Sequence, residues 1–236
     1  MKAIILAGGK GTRLRPLTND IPKALIPLQG RTLTEQVFDI YKKAGVTDII
    51  LSVCYLADQV INRYGDGKQF GCTIEYLKEN PERGTAGPLL MLKEQDALIT
   101  EDFFMSNGDN LFALDLPALL VTHQKNKAVA TIALSHVEDT SRYGVARLEG
   151  EKILEFVEKP NKEDAPSQYI SSGYYVLSPQ IFNYIDTSKD FMMLERDVWP
   201  VLAREGKLFG FTSNAQWFDT GTPESYQQVE QEWKGV

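Results

Sequence analysis

The sequence predicts an α/β fold, a mostly parallel, mixed sheet flanked by helices, and three observations carry that prediction. Short apolar runs without polar alternation, such as Ala3–Leu6 and Ile49–Val53, have the pattern of strands buried on both faces. Segments of helical period lie between such runs through the N-terminal half. Strand, helix, strand, helix at this spacing requires right-handed crossovers and hence parallel pairing.

Taken in order, Ala3–Leu6 is the first strand and runs into a glycine-rich loop, Gly8–Gly11. Val37, Ile40, Tyr41 and Ala44 fall at i, i+3, i+4 and i+7, one apolar helix face, and Gly45 supplies the stop. Ile49–Val53 is the second strand. A helix over Asp58–Tyr64 closes at Gly65-Asp66-Gly67, Cys72–Leu77 is a strand, and Leu89–Ala97 is a helix opened by Pro88. Phe103–Ser106 is a buried strand ending at Asn107-Gly108-Asp109, and Leu116–Lys125 is helical. The second half is richer in strands: Ala128–Leu134, Gly144–Leu148, Ile153–Val157 and Tyr174–Leu177. Helices are expected over Pro179–Ile185, Glu195–Arg204 and Pro223–Trp233. No Pro/Ser-rich linker, low-complexity tract or internal repeat divides the chain, and no hexapeptide repeat follows Trp233. One compact domain over residues 1–236 is expected, without a C-terminal β-helix domain.

The chain of 236 residues carries a net charge of −7. An acidic protein lacks the basic surface that a general nucleic-acid binder needs to neutralise phosphates. A local basic pocket for one phosphorylated small molecule stays compatible with that charge. Cys54 and Cys72 sit in apolar, strand-like runs and read as buried reduced thiols. No run approaches the roughly 18 apolar residues that span a bilayer. Lys2 is followed only by Ala3–Ala7 before glycines intervene, too short for a signal-peptide core. A cytoplasmic protein without membrane contact is expected.

The strongest chemical signal is the string Leu6-Ala7-Gly8-Gly9-Lys10-Gly11-Thr12-Arg13-Leu14-Arg15-Pro16-Leu17-Thr18, followed by Pro22-Lys23. A glycine-rich turn after a buried strand brings backbone N–H groups against a phosphate. It is not a Walker A loop, because Gly11 stands where Lys-Ser/Thr should follow. Nor is it a dinucleotide fingerprint, since Leu14 occupies the third glycine position, which also disfavours a Rossmann dehydrogenase. What remains is a phosphate loop with three cations nearby: Arg13, Arg15 and Lys23.

The string Gly8–Thr18 with Pro22-Lys23 resembles the signature of the sugar-1-phosphate nucleotidyltransferases, which make nucleotide sugars. The resemblance continues in Gly84-Thr85-Ala86-Gly87, Asn107-Gly108-Asp109, Phe156-Val157-Glu158-Lys159-Pro160, Ser172-Gly173 and Trp217-Phe218-Asp219-Thr220-Gly221-Thr222-Pro223. It implies a Rossmann-like single domain, with a nucleotide-binding half over about 1–127 and a sugar-phosphate-binding half over about 128–236. It also implies a reaction of two small-molecule substrates. A sugar 1-phosphate attacks the α-phosphorus of a nucleoside triphosphate, pyrophosphate leaves and a nucleoside diphosphate sugar forms.

That chemistry accounts for the residue types. The attacking phosphate oxygen is already ionised, so no general base is needed, and the chain has only two histidines, His123 and His136, both read as non-catalytic. The difficulty is bringing two anions together and stabilising charge on the leaving pyrophosphate. By resemblance, Arg13 and Lys23 are catalytic: Arg13 holds the triphosphate, and Lys23 bridges the α-phosphate region and the sugar phosphate. Leu6, Gly8, Gly9, Gly11, Thr12, Glu79, Gly84, Thr85 and Asp109 are the remaining nucleotide-binding candidates. Gly108, Glu158, Lys159, Gly173 and Glu195 are the sugar-phosphate candidates. Glu158 and Glu195 accept from sugar hydroxyls, and Lys159 holds the phosphate. Glu158 and Lys159 are adjacent in a strand, which points them to opposite faces. An acid beside triphosphate oxygens repels unless a cation intervenes, and Mg²⁺ prefers one or two carboxylates plus phosphate oxygens. Asp109 and Asp219 match the family's metal carboxylates. The family's usual Asn-Ala-Gly is Ser171-Ser172-Gly173 here, so an asparagine contact to the sugar is absent.

Lys78–Gly87 resembles the base-reading segment, with Glu79 at the position facing the base edge. A carboxylate only accepts hydrogen bonds. Guanine offers two donors on its pairing edge, whereas uracil and thymine offer one N–H between two carbonyls. Glu79 therefore favours GTP, and GTP points to mannose 1-phosphate or a heptose 1-phosphate. The alternatives are UTP or dTTP with glucose or N-acetylmuramic acid 1-phosphate, and a non-catalytic nucleotide-sugar sensor. A sensor is expected to have lost Arg13, Lys23 or Asp109, and all three are present. A homo-oligomer is left open by the sequence.

Overall fold

In a computed structural model describing residues 1–236, strand β1 (Lys2–Leu6) opens the chain, and Ala3–Ile5 are fully buried. The glycine loop and a 3₁₀ turn, Thr12–Leu14, lead to a short antiparallel ribbon of β2 (Pro27–Leu28) and β3 (Arg31–Thr32). Helix α1 (Leu33–Lys43) starts at Thr32, whose hydroxyl accepts the Glu35 amide at 3.3 Å. Its Val37, Ile40 and Tyr41 are buried, as their spacing predicts. Then come β4 (Asp48–Val53), α2 (Ala57–Tyr64) and β5 (Thr73–Lys78). Helix α3 (Gly87–Glu94) ends three residues before the expected Ala97, because Asp96 adopts φ 53°, a left-handed conformation that a helix cannot continue through. Strands β6 (Phe103–Asn107) and β7 (Asn110–Phe112) precede α4 (Leu116–Lys125).

Strands β8 (Ala130–His136), β9 (Gly144–Glu149), β10 (Lys152–Glu158) and β11 (Tyr169–Leu177) follow. β11 is longer than the Tyr174–Leu177 expected, and its register against β8 shifts between Ser171 and Tyr175, around Gly173. The segment read as a helix over Pro179–Ile185 is a 3₁₀ helix, Pro179–Tyr184. The helix expected over Glu195–Arg204 is interrupted: Leu194–Val198 forms a π turn, and only α5 (Trp199–Arg204) is α-helical. Pro200 has no N–H for the Arg196 carbonyl, which explains the break.

Strand β12 (Leu208–Thr212) was not expected from the sequence, because Gly210 interrupts its pattern. The glycine is needed there: a Cβ would lie 2.7 Å from Leu134 Cδ1 and 2.8 Å from Leu148 Cδ2. Strand β13 (Trp217–Asp219) precedes α6 (Pro223–Glu232), which Thr222 and Ser225 open with a reciprocal capping box.

The chain forms two compact units, one of residues 1–82, 105–115 and 215–236 and the other of 83–104 and 116–214. In the first, the strands run in the order β5-β4-β1-β6, with β1–β4 and β4–β5 parallel, as the crossovers require. The Gly108 amide donates to the Leu6 carbonyl at 2.8 Å, so β6 ends at the same edge as β1. An aromatic cluster of Phe38, Tyr64 and Phe70 packs edge-on beside α1, with Phe38 and Tyr64 centroids 5.2 Å apart. In the second, the order β11-β8-β12-β10-β9 is mixed: β8–β12 is parallel, while β8–β11, β10–β12 and β9–β10 are antiparallel. Trp199 of α5 packs against Tyr175 there, with ring centroids 5.4 Å apart. No helix is long and apolar enough to cross a membrane.

Candidate active site

The ends of four neighbouring strands in the first unit share one edge, and each leads into residues singled out from the sequence. Past β1 lie Gly8–Gly11, past β4 lies Cys54, past β5 lies Glu79, and past β6 lie Gly108 and Asp109. The carboxyl edge of an open parallel sheet is where α/β proteins bind ligands. At about 4.8 Å per strand, Glu79 and Asp109 stand three spacings, roughly 14 Å, apart along that edge.

The loop is shaped by its glycines. Gly11 takes φ +59°, and a Cβ there would lie 2.8 Å from Thr18 Cγ2. Thr18 is fully buried and its hydroxyl donates to the Gly11 carbonyl at 2.7 Å, which also accepts the Leu14 amide at 2.8 Å. The loop is thereby folded back on itself, while Gly9, Thr12, Arg13 and Arg15 remain exposed. Gly8 passes close to Cys54: a Cβ would sit 3.0 Å from Cys54 Cβ and 3.1 Å from its amide nitrogen, so a side chain there would have to push the neighbouring strand end back.

Lys23 is 8% exposed, and its Nζ donates to Asp109 Oδ2 at 2.6 Å. Burial pushes the Asp109 carboxyl up, but the Lys23 ammonium, its hydrogen bond and the charge of Arg13 hold it below the ordinary carboxylate range. Asp219 reaches the same region through a three-residue ribbon. β13 pairs antiparallel with β7, placing Asp219 opposite Asn110. The Thr220 hydroxyl then donates to the Asp109 carbonyl at 2.7 Å. Arg13 and Asp219 converge on Gly221, where an added Cβ would lie 2.8 Å from Arg13 Nη2 and 2.7 Å from Asp219 Oδ1. Two cations and two carboxylates are thus assembled from four separate stretches of chain.

At the other end of the edge, Glu79 is 6% exposed. Its amide extends the β4 ladder by donating to Val53 at 2.8 Å, and its Oε1 accepts the Ser52 hydroxyl at 2.6 Å. Cys54 beside it is half-buried rather than buried as expected. Desolvation, with the Glu79 and Glu82 carboxylates, pushes its thiol up, so it is a poor nucleophile.

The second unit holds the other candidates. Glu158 closes β10 with its side chain 9% exposed. Contrary to the expectation of opposite faces, Lys159 leaves the strand at φ 48° and its Nζ folds back to Glu158 Oε1 at 3.0 Å. The strand geometry that separates neighbours ends at Glu158, so the two charges pair. Glu195 sits in the π turn, 9% exposed, and accepts the Thr85 hydroxyl at 2.5 Å. Desolvation pushes its carboxyl up, with the Glu158 charge adding to the effect. Gly84 and Thr85 therefore belong with Glu195, while Gly108 lies with the glycine loop. Gly173 takes φ +80° at the β11 register shift, beside the Ser171 hydroxyl.

The histidines lie apart from these candidates, one buried and one exposed. His123 is buried against Thr131, 3.0 Å away, and burial lowers its pKa; His136 pairs with Gln168 at 3.1 Å. Ser52, Thr18 and Thr220 are supporting residues that sequence reasoning gave no role. Ser52 had a signal, as the single hydroxyl in the apolar run Ile49–Val53.

Comparison with known proteins bears on this arrangement. A model of the nucleotidyl transferase family matches residues 2–234. The chain is 35% identical over 229 residues to mannose-1-phosphate guanyltransferase beta-B of Xenopus laevis, covering 96% of this chain and 62% of that protein. It is 34% identical over 242 residues to the UTP–glucose-1-phosphate uridylyltransferase of Synechocystis, covering 97% of this chain and again 62% of the relative. The chain thus spans under two thirds of the length of these relatives. The structure of HddC from Yersinia pseudotuberculosis complexed with GMP-PN superposes with a TM-score of 0.81 at 28% identity, covering 99% of each chain.

Proposed function

The chain belongs to the nucleotidyl transferase family, and we propose that it transfers a guanylyl group from GTP to mannose 1-phosphate or a heptose 1-phosphate. One observation carries the nucleotidyl transfer in this reading: the sheet edge of the first unit, where Lys23 pairs with Asp109 at 2.6 Å and Arg13 and Asp219 meet at Gly221. In the reaction a phosphate oxygen of the sugar phosphate bonds to the α-phosphorus as the bond to pyrophosphate breaks. No proton has to be removed, so no general base is needed, and the protein's task is electrostatic. Arg13, exposed beside the glycine loop, stabilises the leaving pyrophosphate. Lys23 neutralises Asp109 and lies within reach of the α-phosphate. Exposed loop amides at Gly9 and Thr12 cradle the triphosphate.

Asp109 and Asp219 fit a Mg²⁺ ion. No group of three or more His, Cys, Asp or Glu forms an all-protein cage, and Mg²⁺ takes its remaining oxygens from phosphates and water. The ion would neutralise triphosphate charge when bound. The buried Glu79, three strand spacings from Asp109, reads guanine at its two donors. That the HddC structure holds GMP-PN supports the guanine reading. The Synechocystis relative favours a second reading, UTP with glucose 1-phosphate.

In the second unit, Lys159 binds the sugar phosphate and Glu158 and Glu195 accept from its hydroxyls. Lys159→Ala is expected to raise the KM for the sugar 1-phosphate about tenfold, as a lost charge-assisted contact does, with the KM for the triphosphate little changed. A change confined to the triphosphate would place Lys159 elsewhere.

The deciding experiment crosses GTP, UTP, dTTP, ATP and CTP with mannose, heptose, glucose and N-acetylmuramic acid 1-phosphates, read as pyrophosphate release. GTP with mannose or heptose 1-phosphate is expected to give the highest kcat/KM. A maximum at UTP or dTTP selects the second reading. Binding of nucleotide without pyrophosphate release from any pair leaves a sensor.

A further inference from the structure

We propose that Thr85 is a positioning residue for Glu195, its hydroxyl aiming that carboxylate at the sugar rather than contacting the nucleotide. The inference rests on the transferase reading above. The hydroxyl is engaged on both sides. It accepts the amide of Leu194 at 2.9 Å and donates its only proton to Glu195 Oε2 at 2.5 Å. The backbone that carries Glu195 therefore sets the direction of the hydroxyl that holds its side chain.

The two segments are joined independently of that side chain. Met192 N–H donates to the Arg83 carbonyl at 3.0 Å, and Ala86 N–H donates to the Met192 carbonyl at 3.0 Å. Gly84 passes so close that a Cβ would lie 2.3 Å from the Met192 oxygen. Loss of the Thr85 hydroxyl thus leaves the segments joined but removes the side-chain bond to the carboxylate, which keeps only its contact with the Glu195 backbone. Glu195 has reason to move: it is 9% exposed, and the Glu158 carboxylate raises the cost of its charge while Lys159 lowers it. With Oε2 held by Thr85, the Oε1 side of the carboxylate faces a hydroxyl donor in one orientation instead of several.

The test is a double-mutant cycle in the full chain, with KM measured separately for GTP and mannose 1-phosphate, or for the best pair from the substrate grid. Thr85→Val is expected to raise the sugar-phosphate KM about tenfold, the scale of one hydrogen bond to a charged group, with the nucleotide KM and kcat within about threefold. Thr85→Ser, which keeps the hydroxyl, should remain within about twofold of the unmodified protein. In a Glu195→Ala background, Thr85→Val should add less than about twofold, because a residue acting through Glu195 has nothing left to act on. If Thr85→Val does not fold, Thr85→Ala in the same cycle carries the same readout.

A nucleotide KM that rises while the sugar-phosphate KM stays fixed overturns the inference and returns Thr85 to the nucleotide. Full additivity with Glu195→Ala also overturns it, as does Thr85→Val kinetics matching the unmodified enzyme. An unmodified protein that releases no pyrophosphate from any pair overturns the transferase reading itself, and this inference with it.

Discussion

Asp109→Asn is expected to lower turnover by about a hundredfold or more, the scale of losing one preorganised electrostatic element, without unfolding the protein. The substitution is nearly isosteric, and the amide oxygen can still accept from Lys23 Nζ, now 2.6 Å from the carboxylate. The Thr220 hydroxyl and amide both bond the main-chain carbonyl of Asp109, at 2.7 and 3.2 Å, so the ribbon that brings in Asp219 is untouched. What disappears is the charge. Lys23, 8% exposed, loses its counter-charge, and the proposed Mg²⁺ would lose one of its two carboxylates. The measurements are kcat for the preferred pair and far-UV circular dichroism for both proteins. Excess chelator should abolish activity in the unmodified chain. Full turnover under chelation would remove the metal role from both Asp109 and Asp219.

The second large effect is expected at one buried side chain. Glu79→Gln should lower kcat/KM for GTP about 5- to 150-fold, because a mispaired buried polar group costs about 1–3 kcal/mol. Ser52 directs the outcome. Its hydroxyl donates to Oε1 at 2.6 Å, which holds the amide oxygen of a glutamine on that side and puts its NH₂ where Oε2 stands. A donor would then face a guanine N–H. UTP and dTTP should lose much less, and their use should rise where the amide pairs with N3–H and a carbonyl together. The readout is the GTP-to-UTP ratio of kcat/KM in both proteins. An unchanged ratio, or an unmodified enzyme that already prefers UTP, ends the base assignment. The phosphate chemistry would survive that result, because it stands on Arg13, Lys23, Asp109 and Asp219.

The sequence by itself determined the parallel strands of the first unit and the position of the glycine loop. Continuous apolar runs report burial on both faces directly, and Gly8–Gly11 lies immediately past the first of them. Helix α1 was equally legible, because an apolar stripe at helical period is a local property. Elements whose local signal is weak were not legible. Strands β7 and β13 are three residues each, too short to show a period, and Gly210 breaks the pattern of β12.

Candidate residues were named by type and motif, but their partners came only from tertiary structure. Asp219 meets the Asp109 region through the β7–β13 register, and Thr85 meets Glu195 across 110 positions of sequence. Ser52 meets Glu79 because β4 and β5 pair in parallel, with Ser52 opposite Leu77 and Val53 opposite Lys78. Lys159 turns back onto Glu158 because its backbone leaves the strand. Periodicity records which face of an element is buried, and that is fixed within a few residues. Which side chains meet depends on strand register and on where a strand stops, and those are settled by packing between segments far apart in the chain.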